Sequence, residues 1–497
     1  MSTTAIAFPH RAPSRRAERW LWLVVGGVLL LVLAGSVRRG DMNTLLGLLV
    51  VGLVVAAGQR VLLAWQTMMG VILVVILFIP IRRYTVGGNL PIELEPYRIV
   101  IAVVLAFWFA ALAVDPTVRW RKTGLEGPIA ALLGVMLLSL VANLDKVNAA
   151  GELVIKNFSF FLSYVLVLFF VASVIRSRKD VDRMLRLLVG GGTLVAFLGL
   201  VEWKTTTNFF NWYGHVIPFL HYVDEGVAQA RGSGVRARAS AQHPIALSAA
   251  LVMLIPLAVY LHRRSGKIFW LGCAGILTLG ALSTGSRTGT TMLISLLVAF
   301  LAIKPRETVR LLPMLLPMLI VIQGVMPGTL GTMKSMLNPS YLIKEQSFDN
   351  GGGGTGRVAD LGPALARWSN QPFLGEGFGT KQADPNAKAG SDQQILDDQW
   401  LGSLLEIGAF GVLALLWLYV RAIRKLKAVA RSAPGADGWL ATALAASIIS
   451  FAVGMLTFDA FAFIQVTFFA FIVLGVAGVV TQQLAKPAED QPAIAAS

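Results

Sequence analysis

The sequence predicts an all-α, polytopic integral membrane protein with about 12–14 transmembrane helices and two long extracytoplasmic loops that contain short helices. Three observations predict it. Only 14% of the 497 residues are charged and 56% are hydrophobic, whereas soluble domains carry about 25% charged residues. Apolar runs of roughly 20 residues, each long enough to cross a bilayer core, recur along the chain. Basic residues gather in the short connections after alternate runs, the asymmetry that marks the cytoplasmic side.

The runs fall at 19–37, 43–57, 61–80, 99–114, 124–143, 153–175, 182–202, 244–261, 268–283, 286–303, 309–328, 398–420, 437–457 and 460–480. With a cytoplasmic N-terminus, the inside segments hold Arg11, Arg15, Arg16 and Arg19, then Arg60, then Arg119, Arg121 and Lys122. Next come Arg176, Arg178, Lys179 and Arg183; Arg263, Arg264 and Lys267; Lys304, Arg306 and Arg310; Arg421, Arg424, Lys425, Lys427 and Arg431; and Lys486. Membrane topology therefore accounts for most of the net charge of +16, and no nucleic-acid partner is expected. The first run leads into "VRRG" without a small-residue cleavage site, so a retained helix is predicted rather than a signal peptide. Cys273 is the single cysteine, which excludes a disulfide framework or a CxxC metal site.

The resulting organisation is a cytoplasmic tail at 1–18, transmembrane helices at 19–202, an extracytoplasmic loop at 203–243 and transmembrane helices at 244–328. A large extracytoplasmic loop follows at 329–397, then transmembrane helices at 398–480 and a cytoplasmic tail at 481–497. Both termini are predicted to be cytoplasmic. Function concentrates in loops positioned by a scaffold, which points to the two long ones. In the larger loop, Lys334, Lys344, Arg357, Arg367, Lys381 and Lys388 balance Glu345, Asp349, Asp360, Glu376, Asp384 and Asp392, so anion binding there depends on placement. "DNGGGGTG" (349–356) reads as a hinge, followed by a short helix at 357–369 and a Pro/Gly-rich turn.

Three downstream runs begin at the outer face with a polar signature. One starts at "VRARASAQHPIALS", with Pro244 in the first turn, where a missing N–H is harmless. Another starts at "STGSRTG", with Ser286 as candidate N-cap and Arg287 behind it. The last starts at "DDQWLGSLLEIGAFG", with Asp397 and Asp398. A helix N-terminus offers free N–H groups and partial positive charge, and an arginine fork beside it matches phosphate oxygens. Two of the ends thus suit phosphate and the third supplies carboxylates. Each feature also has an ordinary reading. Arg287 would snorkel to headgroups, Arg236 and Arg238 would belong to a basic loop, and Arg357 and Arg367 would be surface charges. Asp397 and Asp398 would cap a helix, and His243 would be structural beside its proline. His215 and His221 lie in "NFFNWYGHVIPFLHY", which reads as an interfacial helix.

Taken together, these stretches resemble the O-antigen ligase and O-antigen polymerase superfamily of bacterial membrane glycosyltransferases, over roughly residues 150–480. Four stretches carry the resemblance. They are "RARASAQHP" with Arg236 or Arg238; "STGSRTG"; Arg357 leading to the Pro–x–x–Gly–x–Gly turn in "QPFLGEGFG"; and "DDQWLGSLLEIGAFG". The chain departs from the pattern in two places: the family's ligases usually have His–Asn where Asp397–Asp398 stand, and Ile245 replaces an asparagine often found after the proline.

The resemblance implies metal-independent, inverting chemistry without a cofactor: a glycan moves from a polyprenyl (undecaprenyl) diphosphate donor to a hydroxyl of a glycan or lipid-linked glycan acceptor. The setting would be the outer face of the cytoplasmic (inner) membrane, in cell-surface polysaccharide biosynthesis. Arg236 or Arg238, Arg287 and Arg357 would hold the departing diphosphate, a positioned-charge strategy. Arg367, Ser286 and His243 are additional candidates. Asp397, standing where the family has histidine, would be the base for the acceptor hydroxyl, with Asp398 next. Two rival classes remain open, a polysaccharide transporter or flippase and a non-catalytic scaffold of an assembly complex. Against transport stand the lack of an internal repeat or Walker motif and the scarcity of ionisable residues within the runs.

Overall fold

The computed structural model describes residues 65–86, 95–114, 118–217, 220–223, 230–231, 234–325, 331, 361–381 and 396–484. The runs at 19–37 and 43–57, both predicted tails and Arg357 lie outside the described residues, apart from the tail positions 481–484. The described residues are mostly α-helical, with two minor strand pairs among them. In order come α1 (Trp65–Phe78), β1 (Tyr84–Val86), α2 (Pro96–Val114), α3 (Glu126–Ala142), α4 (Leu144–Ala150), α5 (Glu152–Val174) and α6 (Arg178–Thr205). A 3-10 turn (Phe209–Trp212) leads to α7 (Tyr213–Val216), β2 (Leu220–Tyr222), β3 (Ala230–Arg231) and β4 (Gly234–Val235). Then follow α8 (Pro244–Ser265), α9 (Phe269–Ser283), α10 (Arg287–Ile303), α11 (Pro305–Leu311), α12 (Leu315–Val325), α13 (Leu361–Trp368), α14 (Gln399–Ser432), α15 (Gly435–Gly454) and α16 (Ile464–Leu484).

Among the described residues, seven helices are long and apolar enough to cross a membrane: α2, α5, α6, α8, α14, α15 and α16. The pair α3–α4, bent by 90°, makes an eighth if it is one span. The protein is thus a multi-pass membrane protein. The apolar stretch of α16 is wholly buried and that of α8 is 89% buried, so these two form the centre. Around α8 pack α6, α9, α10, α15 and α16, while α5 lies along α16. Small residues permit the closest approaches, as in other helix-in-lipid contacts: a Cβ on Gly475 of α16 would stand 2.7 Å from the Leu168 carbonyl oxygen of α5.

One end of the bundle is tied by charge. The α6 start is fixed by a reciprocal capping box between Ser177 and Asp180. Arg264, at the end of α8, donates from Nε to Asp182 at 3.2 Å, and Tyr260 also donates to Asp182. Arg178 pairs with Asp437 of α15 at 2.7 Å. Trp439 lies under the Arg263 guanidinium (4.6 Å) and near Lys304 (5.6 Å). The opposite end, where α8, α10 and α14 begin, carries the site.

Two sequence expectations change in form. The run at 309–328 is divided between α11 and α12 by a 3-10 turn, Leu312–Met314, because Pro313 and Pro317 each remove a helical N–H. The aromatic stretch 208–222 is not one interfacial helix: its four-residue helix α7 gives way to β2, which pairs antiparallel with β1 (Tyr84 opposite Tyr222, Val86 opposite Leu220). Buried Arg83 anchors this strand pair, donating from Nη2 to the Ala241 carbonyl at 2.5 Å and from Nη1 to Asn211 Oδ1 at 3.3 Å. The predicted loop helix at 357–369 is described as α13, 361–368.

Candidate active site

The segment before α8 lies across the turn between α9 and α10. The Ala237 N–H donates to the Ser283 carbonyl at 3.3 Å, and Arg236 Nε donates to the Thr284 carbonyl at 3.0 Å. Buried Glu202, near the end of α6, holds this segment in place. Its Oε2 accepts the backbone N–H groups of Arg238 (3.1 Å) and Ala239 (2.7 Å), and its Oε1 accepts from Asn208 Nδ2 at 2.9 Å. His243 occupies the N-cap of α8, its Nδ1 accepting the Ile245 N–H at 3.2 Å, and its ring stacks on Phe463 at 5.6 Å. Burial first, then the charges of Arg236 and Arg238, push the His243 imidazole down to about 4. His243 is therefore a neutral cap at ordinary pH, and both arginines lie within its electrostatic reach.

At the start of α10, Ser286 occupies the N-cap position, but its hydroxyl makes no capping bond. It is buried (5% exposed) and has no hydrogen-bond partner. Thr284 acts locally instead, its Oγ1 accepting the Ser286 N–H at 3.1 Å. Half-buried Arg287 opens the helix, and Thr288 Oγ1 donates to the Thr457 carbonyl at 3.3 Å.

At the start of α14 the two aspartates divide. Asp398 is the N-cap, its Oδ1 accepting the Leu401 N–H at 3.1 Å. Asp397 is exposed. The next residue, Gln399, is buried and anchors the helix start to the connection between α15 and α16. Its N–H donates to the carbonyls of Met455 (2.8 Å) and Phe458 (3.2 Å), while its Oε1 accepts the Phe461 N–H at 2.7 Å.

The connection 455–463 is consequently the hub of the site. It receives α14 through Gln399, α10 through Thr288, and the α8 start through His243–Phe463 and the bond from Gln242 Nε2 to the Ala462 carbonyl (2.9 Å). It also carries Asp459, the one charged residue between Asp437 and Lys486. Burial pushes the Asp459 carboxyl up to about 6; Lys381, the Ala462 N–H and Arg82 oppose the rise, and the charge of Asp397 adds to it. Asp397, Asp459 and Lys381 thus share one neighbourhood.

The Pro/Gly-rich turn after α13 is built into this neighbourhood. Helix α14 breaks at Gly408, whose φ of 64° and ψ of −170° are not helical. Such angles are open to glycine almost alone. Backbone bonds from the turn cross the break: Glu376 N–H to the Leu405 carbonyl (2.8 Å) and Gly377 N–H to the Glu406 carbonyl (3.1 Å). In return, the N–H groups of Ala409 and Phe410 donate to the carbonyls of Pro372 (2.8 Å) and Phe373 (3.2 Å). Asn143, at the α3–α4 corner, donates to the Gly375 carbonyl at 2.9 Å, and Asn157 of α5 donates to that of Gly379 at 3.0 Å. Phe378 is buried against Phe158 and Phe161. Lys381 follows the turn. Arg367 forks onto Glu376, Nε to Oε1 at 2.7 Å with Nη2 on Oε2, and Lys146 stands 3.5 Å from the same carboxylate. Arg367 is thereby engaged within the loop.

The structure therefore brings Arg236, Arg238, His243, Ser286 and Arg287 to one rim, and it joins Asp397 and Asp398 to that rim through the 455–463 connection. Sequence reading missed Asp459 and Lys381. A lone acid within a long apolar stretch was the available signal for the first; nothing local marks the second. Among the described residues, no three His, Cys, Asp or Glu side chains stand together as metal ligands. The chain matches no protein-family model, and no curated protein matches it.

Proposed function

We propose that this protein is a membrane glycosyltransferase that polymerises or ligates saccharide units carried on a polyprenyl diphosphate. The observation that carries the reading is the convergence of three polar helix starts on the connection 455–463, two bearing arginines and one bearing the exposed carboxylate of Asp397. Arginine forks beside helix N-termini suit a diphosphate. Arg236, Arg238 and Arg287 hold the leaving group as its negative charge grows, the term that most lowers such a barrier. Ser286 supplies a buried hydroxyl at the same helix start. Arg357, outside the described residues, is a further candidate on the family resemblance alone.

Asp397, exposed at the α14 start and standing where the resembled family has histidine, takes the acceptor hydroxyl's proton. The charge-tied end of the bundle faces the cytoplasm, in keeping with the positive-inside distribution, so the site opens to the extracytoplasmic side of the inner membrane. The reaction uses no metal or cofactor. The test is reconstitution of the purified protein in nanodiscs with a lipid-diphosphate oligosaccharide. A ladder of repeats identifies a polymerase, a single transfer to a distinct acceptor identifies a ligase, and no transfer to any hydroxyl acceptor overturns the reading.

A further inference from the structure

Asp459 has a position that packing alone does not explain. Burying a carboxylate is costly unless its charge is compensated, yet this one stands at the turn between two of the most buried helices, α15 and α16. Its backbone is fixed from four directions. Gln399 binds on both sides of it, at Phe458 and Phe461. Thr288 binds at Thr457 and Gln242 at Ala462. Tyr164 of α5 donates to the Phe461 carbonyl at 3.3 Å. The charged and titratable groups whose fields reach it are Lys381 from the docked turn, Asp397 from the α14 start, Glu406 from the first turns of α14, Arg82 from the segment after α1, and Tyr164 from α5; the α8 and α10 starts touch the connection through the uncharged side chains of Gln242 and Thr288. The same connection seals the α10 start, where the Ser286 hydroxyl is buried without a partner.

We propose that Asp459 is a second carboxylate of the transfer reaction, sharing with Asp397 the proton removed from the acceptor hydroxyl. This rests on the glycosyl-transfer reading above. The hydroxyl oxygen forms the new bond to the anomeric carbon. The bond from that carbon to the diphosphate oxygen breaks, and its electron pair leaves on the diphosphate. The hydroxyl proton passes to Asp397, is held jointly with Asp459 directly or through one water, and is lost to solvent as product leaves. A single exposed carboxylate is a weak base. The charge of Asp397 adds to the rise at Asp459 and so favours a proton there, while the charge of Lys381 opposes that rise. Burial of Asp459 acts in the same direction as its neighbour's charge. Asp459 is thus a positioning residue for the proton, acting through Asp397.

The test is the pH–rate profile of the full-length protein in nanodiscs, with a lipid-diphosphate oligosaccharide as donor. Wild type is expected to lose activity on acidification with a midpoint near 6. Asp459→Asn should lower kcat by about tenfold or more, leave the donor KM unchanged and move the acid midpoint down by about one unit. Asp459→Glu should restore the wild-type midpoint. A residue with only a packing role would lower activity without moving the midpoint, and an unmoved midpoint overturns the proposal. Difference infrared spectroscopy gives a second reading that needs no turnover. A protonated-carboxyl band titrating near 6 should vanish in Asp459→Asn and shift in Asp397→Asn. If that band is missing or indifferent to Asp397, the pair does not exist. If the band behaves as expected but no donor is turned over, the glycosyl-transfer reading fails on its own.

Discussion

Replacing Asp459 with asparagine should make the protein more stable at alkaline pH, and the size of the gain follows from the site. The carboxyl rises from an ordinary 3.8 to about 6 in the folded chain, a shift of about 2 units. At about 1.4 kcal/mol per unit, ionised Asp459 opposes folding by up to about 3 kcal/mol. Because Asp459 is half-buried rather than fully sequestered, relaxation and water access reduce this to about 1–2 kcal/mol. For a group whose folded value is raised, the stabilising share is fully present below the unfolded value. It is lost as pH climbs through the folded one. Wild type and Asp459→Asn should therefore melt alike near pH 4 and diverge between about pH 4 and pH 7, with the variant higher by a few degrees at pH 8. Asparagine can still accept the Ala462 N–H, so little else changes. The assay is tryptophan-fluorescence melting in nanodiscs across that range. A melting difference that stays constant with pH, or a variant less stable at pH 8, would refute the reasoning. Lys381→Met should move the window to higher pH, because Lys381 opposes the rise.

Four further outcomes are expected. Arg287→Lys keeps the charge but loses the fork, and turnover should fall by about 10-fold or more; wild-type turnover would mean that Arg287 only anchors to headgroups. Asp397→Asn should reduce turnover by about 10²–10⁴-fold with donor binding intact, whereas Asp398→Asn should be nearly silent in melting, since asparagine caps as well as aspartate. Gly408→Ala should cost at least about 3 kcal/mol, read as loss of folded protein on size exclusion, because its Cβ would stand 2.2 Å from the Phe373 carbonyl oxygen. Cysteines placed at Asn350 and Ser432 should be labelled by an impermeant thiol reagent in intact cells at the first position only; labelling at the second would invert the topology.

The features legible in the sequence were those set by local chemistry. The runs read as starting at 244, 286 and 398 begin at Pro244, Arg287 and Gln399, because proline, a Ser/Thr–Gly turn and an aspartate each write a helix start into a few residues. The features that were not legible depend on distant partners. Gly408 sits in an apolar run like any other glycine, and only the turn at 372–377 makes its left-handed angle useful. The stretch at 208–222 has helix-like aromatic spacing, but its end becomes a strand because Tyr84–Val86 offers a backbone to pair with. Asp459 is conspicuous by isolation, yet its closeness to Asp397 and Lys381 arises from three chain segments folded together. Of the two aspartates that open α14, the folded geometry makes Asp398 the N-cap.

The backbone bonds across the Gly408 break bear on how the chain is made and how it can be rearranged. In a bilayer, carbonyl and amide groups at a helix break need partners, and here those partners come from residues synthesised about thirty positions earlier. Insertion of α14 is then incomplete until the turn returns to meet it, so the large loop and this helix mature as one unit. A chimera that exchanges the loop between two such proteins should carry residues 372–410 from a single parent. A boundary placed between them would leave a membrane helix with an unmatched gap in its own backbone.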